Sequence, residues 1–209
     1  MRRSIAITIL SGLIFFTACN DPAADSTKAV TGEAAKVASP ATAQGQRYQI
    51  TPQNSKILFV GSKVTGKHDG SFKDFSGHID YAGSPENSRV NITIKADSLD
   101  TDDAGLTKHL KTADFFDVAK FPEATFVSTA IKPGGEKGAS HTVTGNLTMH
   151  GVTKAITFPA TINVTPETAT VDSSFSINRR DFGINYAGAA NNLIRDDVVL
   201  TLNVRATKS

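Results

Sequence analysis

From about residue 48 onward, apolar and polar residues alternate with a period of two over most of the chain. Val90, Ile92 and Ile94 are interleaved with Asn91, Thr93 and Lys95, and Val143, Leu147 and Met149 share one parity before a His150-Gly151 break. Val152, Ile156, Phe158, Ile162 and Val164 alternate with Thr153, Thr157, Thr161 and Asn163. Val171, Phe175 and Ile177 form another apolar face, and Val198, Leu200, Leu202 and Val204 close the series. Strand-like runs also cover residues 56–65, 71–81 and 123–131, the last with less clear parity. Because a strand turns successive side chains to opposite faces, these runs predict strands with one dry and one wet face.

One helix interrupts the pattern. In "DTDDAGLTKHLKTADFF" the carboxylates of residues 100–103 suit a helix N-terminus. Leu106 and Leu110 lie four apart on one face and Ala113 follows, while Gly105 weakens the helix so that it needs docking. About eight antiparallel strands must bury a dry face and hide their edges. The expectation is therefore an all-β, eight-stranded antiparallel barrel with one short capping helix. A two-sheet sandwich satisfies the same alternation.

The N-terminus reads differently. Arg2 and Arg3 precede an apolar run too short to span a bilayer, and small residues follow, so residues 1–18 are expected to be an export signal. Phe16-Thr17-Ala18-Cys19 resembles a bacterial lipobox, although Phe16 stands where Leu is usual, and Cys19 is expected to carry a lipid anchor. A plain secretory signal with an incidental cysteine is the alternative. Residues 19–46 are rich in Ala, Thr and Ser and have no aromatic before the folded region. They are expected to be a flexible linker with a reach of roughly 25–30 Å, leaving 47–209 as the folded domain.

Charge and cysteine use then narrow the function. The net charge of +2 comes from Arg2 and Arg3; without residues 1–18 the chain carries 20 basic and 20 acidic residues, so nothing argues for nucleic acid. Cys19 is the only cysteine, which excludes an intrachain disulfide and thiol catalysis in the body. His68, His78, His109, His141 and His150 form no close ligand pair, and no G-x-S-x-G elbow, Walker loop or dinucleotide fingerprint is present. No metal, cofactor or catalytic residue is expected.

An eight-stranded barrel is just wide enough to be filled by side chains or to hold one small ligand, and composition leaves both open. If there is a cavity, its candidate lining is Phe59, Phe75, Val90, Ile92, Ile94, Phe115, Phe116, Phe126, Leu147, Met149, Ile156, Phe158, Phe175 and Ile177, and its ligand is apolar. Phe115 and Phe116 follow the helix and precede Pro122. One is expected to plug the barrel end while the other packs beside it, with Phe126 continuing onto the wall. Candidate head-group residues are His109, His150, Arg179, Arg180 and Tyr186, with Asn185 as a further neutral donor. The arginines, with Arg195, suit a phosphate or carboxylate by bidentate bonding, or pair with Asp181, Asp196 and Asp197.

"GSFKDFSGHIDY", "SLDT", "HLKTADFFDVAKFPEATFVST", "VTGNLTMHGVTKAITF" and "NRRDFGI" occur in this order between residues 70 and 184. Together they resemble the YceI-like family of lipid- and polyisoprenoid-binding proteins, over about residues 47–206. The resemblance implies a lipocalin-like barrel exported to the bacterial envelope with a long apolar ligand inside. Two departures bear on the head group. Leu106-Thr107-Lys108 replaces an Arg-Asp pair common before the His-Leu of the helix, and Ser62 stands where many relatives have histidine, with His68 nearby. The expected protein is a lipid-anchored envelope carrier facing the periplasm, not an enzyme. It would hold a polyisoprenoid, isoprenoid quinone or fatty-acid-like lipid, with a homodimer left open. The alternatives are an envelope enzyme using His109 or His150 as acid–base, and a filled barrel serving as a protein-interaction module.

Overall fold

The computed structural model describes residues 21–36 and 45–209. Two short strands come first, β1 (Thr27–Lys28) and β2 (Val30–Glu33). They are followed by β3 (Gln46–Ile50), β4 (Lys56–Lys63), β5 (Gly66–Phe72), β6 (Phe75–Tyr81), β7 (Arg89–Lys95) and β8 (Leu99–Thr101). Helix α1 (Ala104–Leu110) precedes β9 (Glu123–Pro133), β10 (His141–Met149), β11 (Val152–Val164) and β12 (Thr168–Asn178). A small hairpin, β13 (Gly188–Ala189) and β14 (Asn192–Leu193), leads into β15 (Asp197–Lys208).

The strands close an antiparallel barrel, β3-β6-β7-β9-β10-β11-β12-β15, because β15 pairs with both β12 and β3. Along its upper half β15 pairs instead with β4, and β4 in turn with β5 and β5 with β8. Thus β3 and β4, β5 and β6, and β7 and β8 each form one bent strand of the wall. The run at 71–81 is accordingly divided at Lys73-Asp74, and the first long strand ends at Lys63. We call the end carrying α1 the upper end.

Side-chain parity in β10, β11, β12 and β15 matches the expected faces, with Val143, Ile156, Phe158, Phe175, Ile177 and Val204 all buried. The unclear parity of β9 has a local cause. Its register against β10 shifts between Thr144 and Gly145, and the bulge passes Ser128 and Ile131 to the same interior. Gly145 sits here because Phe126 crosses its strand: a Cβ at 145 would lie 2.4 Å from the Phe126 ring.

α1 is shorter than expected, ending at Leu110, so Ala113 lies beyond it. Its cap is as read from the acids: Asp103 accepts a hydrogen bond from the Leu106 amide at 2.7 Å. Leu110 is buried with Phe59, Leu99, Phe115 and Ile184 under the upper end. At the lower end Tyr48, Ile50, Ile57, Phe75, Ile79 and Val204 pack into a second apolar group, and the Tyr48 hydroxyl donates to the Thr165 carbonyl at 2.7 Å.

The flexible-linker expectation is corrected over residues 21–36. β11 and β12 pair directly only from Thr161↔Asp172 to Val164↔Ala169. Above that they part, and residues 27–33 lie between them. β1 runs parallel to β12, with Thr27 opposite Phe175, and β2 runs antiparallel to β11, from Val30↔Thr157 to Glu33↔Lys154. Pro159 explains the parting. Its carbonyl accepts from the Ser173 hydroxyl at 2.6 Å, so that edge faces β12, and proline has no N–H to offer there. Ala29 is buried between the strands, its amide donating to the Ser176 carbonyl at 2.8 Å. Asn146 then fixes the far end through a reciprocal pair of bonds with Ala35. Cys19 and residues 1–18 lie outside the described residues.

Candidate functional site

The barrel interior is not filled. It encloses a cavity of about 410 Å³ that runs from Ile79 and Val204 near the lower end to Tyr186 and Ala189 at the upper surface. Its walls are almost wholly aliphatic and aromatic. Of the expected lining, Phe59, Val90, Ile92, Ile94, Phe115, Phe116, Phe126, Leu147, Met149, Ile156, Phe158, Phe175 and Ile177 all border it. Phe75 does not: it is buried among Tyr48, Ile50, Ile79 and Ile92 beneath the cavity. Sequence reasoning passed over Leu106, Leu110, Ile184, Ile194, Val198, Leu200 and Leu202, which also face it. The signal for the β15 members was the alternation already noted; Ile184 and Ile194 sit in an irregular connection where no period marks them.

Phe115 and Phe116 both border the cavity but turn different ways. Phe115 is buried, edge-on to both His109 and tilted against Tyr186, at ring separations of 5.0 and 5.2 Å. Phe116 turns the other way and meets Phe72 edge to face at 6.0 Å. Asp117, at φ 44°, makes the sharp left-handed turn that leads towards β9. Deeper in, the rings of Phe158 and Phe175 stack at 4.2 Å and 11° where β11 and β12 diverge. The small side chain of Ala29, in the same buried group, leaves room for them.

Polar groups gather at the upper mouth. His109 Nε2 lies 2.7 Å from Asp114 Oδ2, and its ring meets Tyr186 edge to face at 5.1 Å. His68, on β5, reaches the cavity and lies 2.9 Å from Asp102. That hydrogen bond, with one from the Asp69 amide, holds the Asp102 carboxyl below its ordinary pKa. Arg179 is buried and borders the cavity, but its guanidinium is committed to the protein. It donates to the carbonyls of Ile184 and Arg195 and to Asp196, at 2.7, 3.2 and 3.0 Å. Burial lowers the Arg179 pKa and Asp196 opposes the change.

Two head-group candidates are placed elsewhere. Arg180 is bonded to the same Asp196 at 2.7 Å and faces an outer cleft. His150, at φ 52° in the β10–β11 turn, holds the Phe182 carbonyl at 3.1 Å and packs against Phe121. It locks a turn and does not reach the cavity. The mouth therefore offers His109, Tyr186 and His68 as polar contacts, and Arg179 as a buried strut.

The profile of the YceI-like domain matches residues 48–206. The chain belongs to the YceI-like family. Among curated relatives, a UPF0312 protein of Pseudomonas putida strain GB-1 is 44% identical over 136 residues, covering 62% of this chain and 70% of that one. The crystal structure of Burkholderia cenocepacia BcnA superimposes with a TM-score of 0.67 at 28% identity, covering 76% of this chain and 99% of that chain. A polyisoprenoid binding domain from Saccharophagus degradans gives a TM-score of 0.62 at 17% identity, covering 79% and 100%, a likeness of fold alone. The YceI-like match begins at residue 48, so the wall segment at 27–33 lies outside the matched span.

Proposed function

We propose that this YceI-like barrel holds one long-chain apolar molecule of the polyisoprenoid, isoprenoid quinone or fatty-acid-like kind, with its polar end at the mouth. The observation that carries this reading is the cavity itself, apolar along its length, with the polar side chains of His109, His68 and Tyr186 at its upper end. Its volume lies within the range of small-molecule sites, and each buried methylene contributes about 0.8 kcal/mol, so a chain offsets its own ordering cost. The name of the Saccharophagus degradans domain supports the same ligand class. The protein acts by sequestration, with no bond made or broken. The export signal at residues 1–18 and the lipobox-like Cys19 support a lipid-anchored place in the bacterial envelope, facing the periplasm.

The test is native mass spectrometry of the chain from Asp21, purified without detergent, followed by extraction. A stoichiometric long-chain adduct is expected. Leu200→Glu puts a charge on the cavity wall at a half-buried position and should abolish the adduct while far-UV circular dichroism stays unchanged. A wild-type protein that is empty and refuses isoprenoids and fatty acids would overturn the reading.

A further inference from the structure

The large apolar side chains left exposed among the described residues are few: Val30, Val64, Tyr186 and Leu193. Three of the four meet at the upper mouth. Val64 stands at the tip of the β4–β5 turn, 54% exposed, and Leu193 on the β13–β14 hairpin, 49% exposed. The two tips are fixed to one another. The Val64 amide donates to the Leu193 carbonyl at 3.1 Å, and the Thr65 hydroxyl lies 2.8 Å from Asn192 Oδ1. Lys63 bridges to Ile194 beneath them. The two turns thus present one paired apolar tip on the outside of the barrel.

We propose that this rim docks on an anionic lipid bilayer through Val64 and Leu193, turning the cavity mouth to the membrane. The inference rests on the ligand reading above and adds the surface from which that ligand would be taken. Three observations choose a bilayer over another occupant. First, Lys63 and Asn192, the chain neighbours of Val64 and Leu193, line the cavity together with Ala189, so a docked rim sets the upper end of an apolar cavity against an apolar phase.

Second, the charge fits. Lys63 and Lys67 flank Val64 and make no ion pair among the described residues, with Asp69 two residues farther down the strand from Lys67. The acids of the adjoining outer cleft are already taken: Asp21 by Arg195, Asp196 by Arg179 and Arg180, and Asp197 by Lys28. Two uncommitted lysines beside two aliphatic tips are the pattern of an interfacial contact with anionic lipid. Third, Asp21 lines that same cleft with Val64 and Leu193. Position 19 is two residues upstream in the sequence, and two residues of chain span at most about 7 Å. A lipid anchor at the expected Cys19 would therefore draw this cleft towards a bilayer.

The experiment uses residues 19–209, which contain every described element, with Cys19→Ser so that no acyl group contributes. Co-sedimentation is measured with vesicles of phosphatidylethanolamine and phosphatidylglycerol, and with vesicles of phosphatidylcholine alone. The protein should partition onto the anionic vesicles, and the double variant Val64→Asp/Leu193→Asp should lose at least about tenfold of that partition. Lys63→Gln with Lys67→Gln should lose about fivefold per lysine on anionic vesicles only. Val30→Asp, at a still more exposed aliphatic site on β2, should change nothing. Val64 and Leu193 do not border the cavity, so the double variant should keep its long-chain adduct in native mass spectrometry. No partition by the parent protein, or equal loss with Val30→Asp, would overturn the inference while leaving the ligand reading intact. A parent protein that is dimeric, with a monomeric double variant, would assign the tips to a second copy and overturn it too. An empty cavity alone would instead overturn the ligand reading.

Discussion

The seam between β11 and β12 is built in two ways, and the two halves can be compared within one molecule. In the lower half, residues 161–164 pair directly with 169–172, an ordinary antiparallel ladder. In the upper half the same two strands are held apart and joined through residues 27–33. The lower half needs nothing outside the family-matched region. The upper half is a wall only while a segment from outside that region stays in place. Beyond the two short ladders to β12 and β11, its attachments are modest: one buried alanine, the Ala29–Ser176 and Asn146–Ala35 hydrogen bonds, and partly exposed ion pairs of Lys28 with Asp197, Glu33 with Lys154 and Asp21 with Arg195. Local stability follows buried contact, so one seam should open well before the other.

The largest blow to the upper half is Ala29→Glu, which sets a charge beside Phe158 and Phe175. The segment should leave its slot instead of carrying the charge inside, at a cost of about 2–3 kcal/mol. That corresponds to a fall in Tm of roughly 5–10 °C for a chain of this size. Hydrogen exchange checks the comparison itself. The amides of Ala155 and Thr157, which share the Pro159 edge of β11, and of Ser176 should lose protection, while 161–164 and 169–172 keep it; loss across both halves would show that the seam behaves as one unit.

Asn146→Ala is a gentler version. It removes both bonds to Ala35 and should cost about 1 kcal/mol, with faster exchange confined to residues 30–35. Exchange that matches the parent protein there would mean that Ala29 alone secures the segment.

The smallest effect is expected in the lower half and depends on pH. Asp172 accepts from Arg205 at 2.8 Å and Asn203 at 3.1 Å, and chiefly the Arg205 bond holds its carboxyl below the ordinary aspartate pKa. A depressed folded pKa means that the contribution is present above about pH 4, where the unfolded group is ionised, and is lost as pH falls through the folded value. Both side chains are well exposed, so the slope is shallow. Asp172→Asn should flatten the acid limb of a pH–stability curve measured by urea titration, leaving stability near neutral pH almost unchanged; an unaltered acid limb would place the dependence elsewhere.

These contrasts also show what a sequence can and cannot disclose. The interior faces of β10, β11, β12 and β15 were legible because their strands stay regular, and alternation survives wherever one face is dry. β9 was blurred by a single bulge, which changes parity without changing composition. The segment at 27–33 was invisible for a stronger reason. Its one large aliphatic residue, Val30, points to solvent, and the residue that matters inside, Ala29, is a small side chain in the buried group that holds Phe158 and Phe175. A strand that contributes hydrogen bonds more than apolar area leaves little hydrophobic signal. Pro159 was the only trace, marking a wall strand with no donor to give. The mouth was half legible: His109, His150, Arg179, Arg180 and Tyr186 were all read as head-group candidates, and the structure brings only His109, Tyr186 and Arg179 to the cavity. The bonding of Arg179 and Arg180 to Asp196 and of His150 to the Phe182 carbonyl depends on folding that a linear motif does not show.

The inserted segment also sets a load path. Its backbone lies along β11 and β12, so tension drawn through Asp21 would run parallel to both strands and strain their hydrogen bonds in shear, all at once, instead of unzipping them singly. The segment's grip on the wall would then be mechanically stiffer than its small buried area suggests. A pull strong enough to release it would part the barrel along the line where Phe158 and Phe175 stack, turning a force at the chain's leading end into a slit beside the cavity.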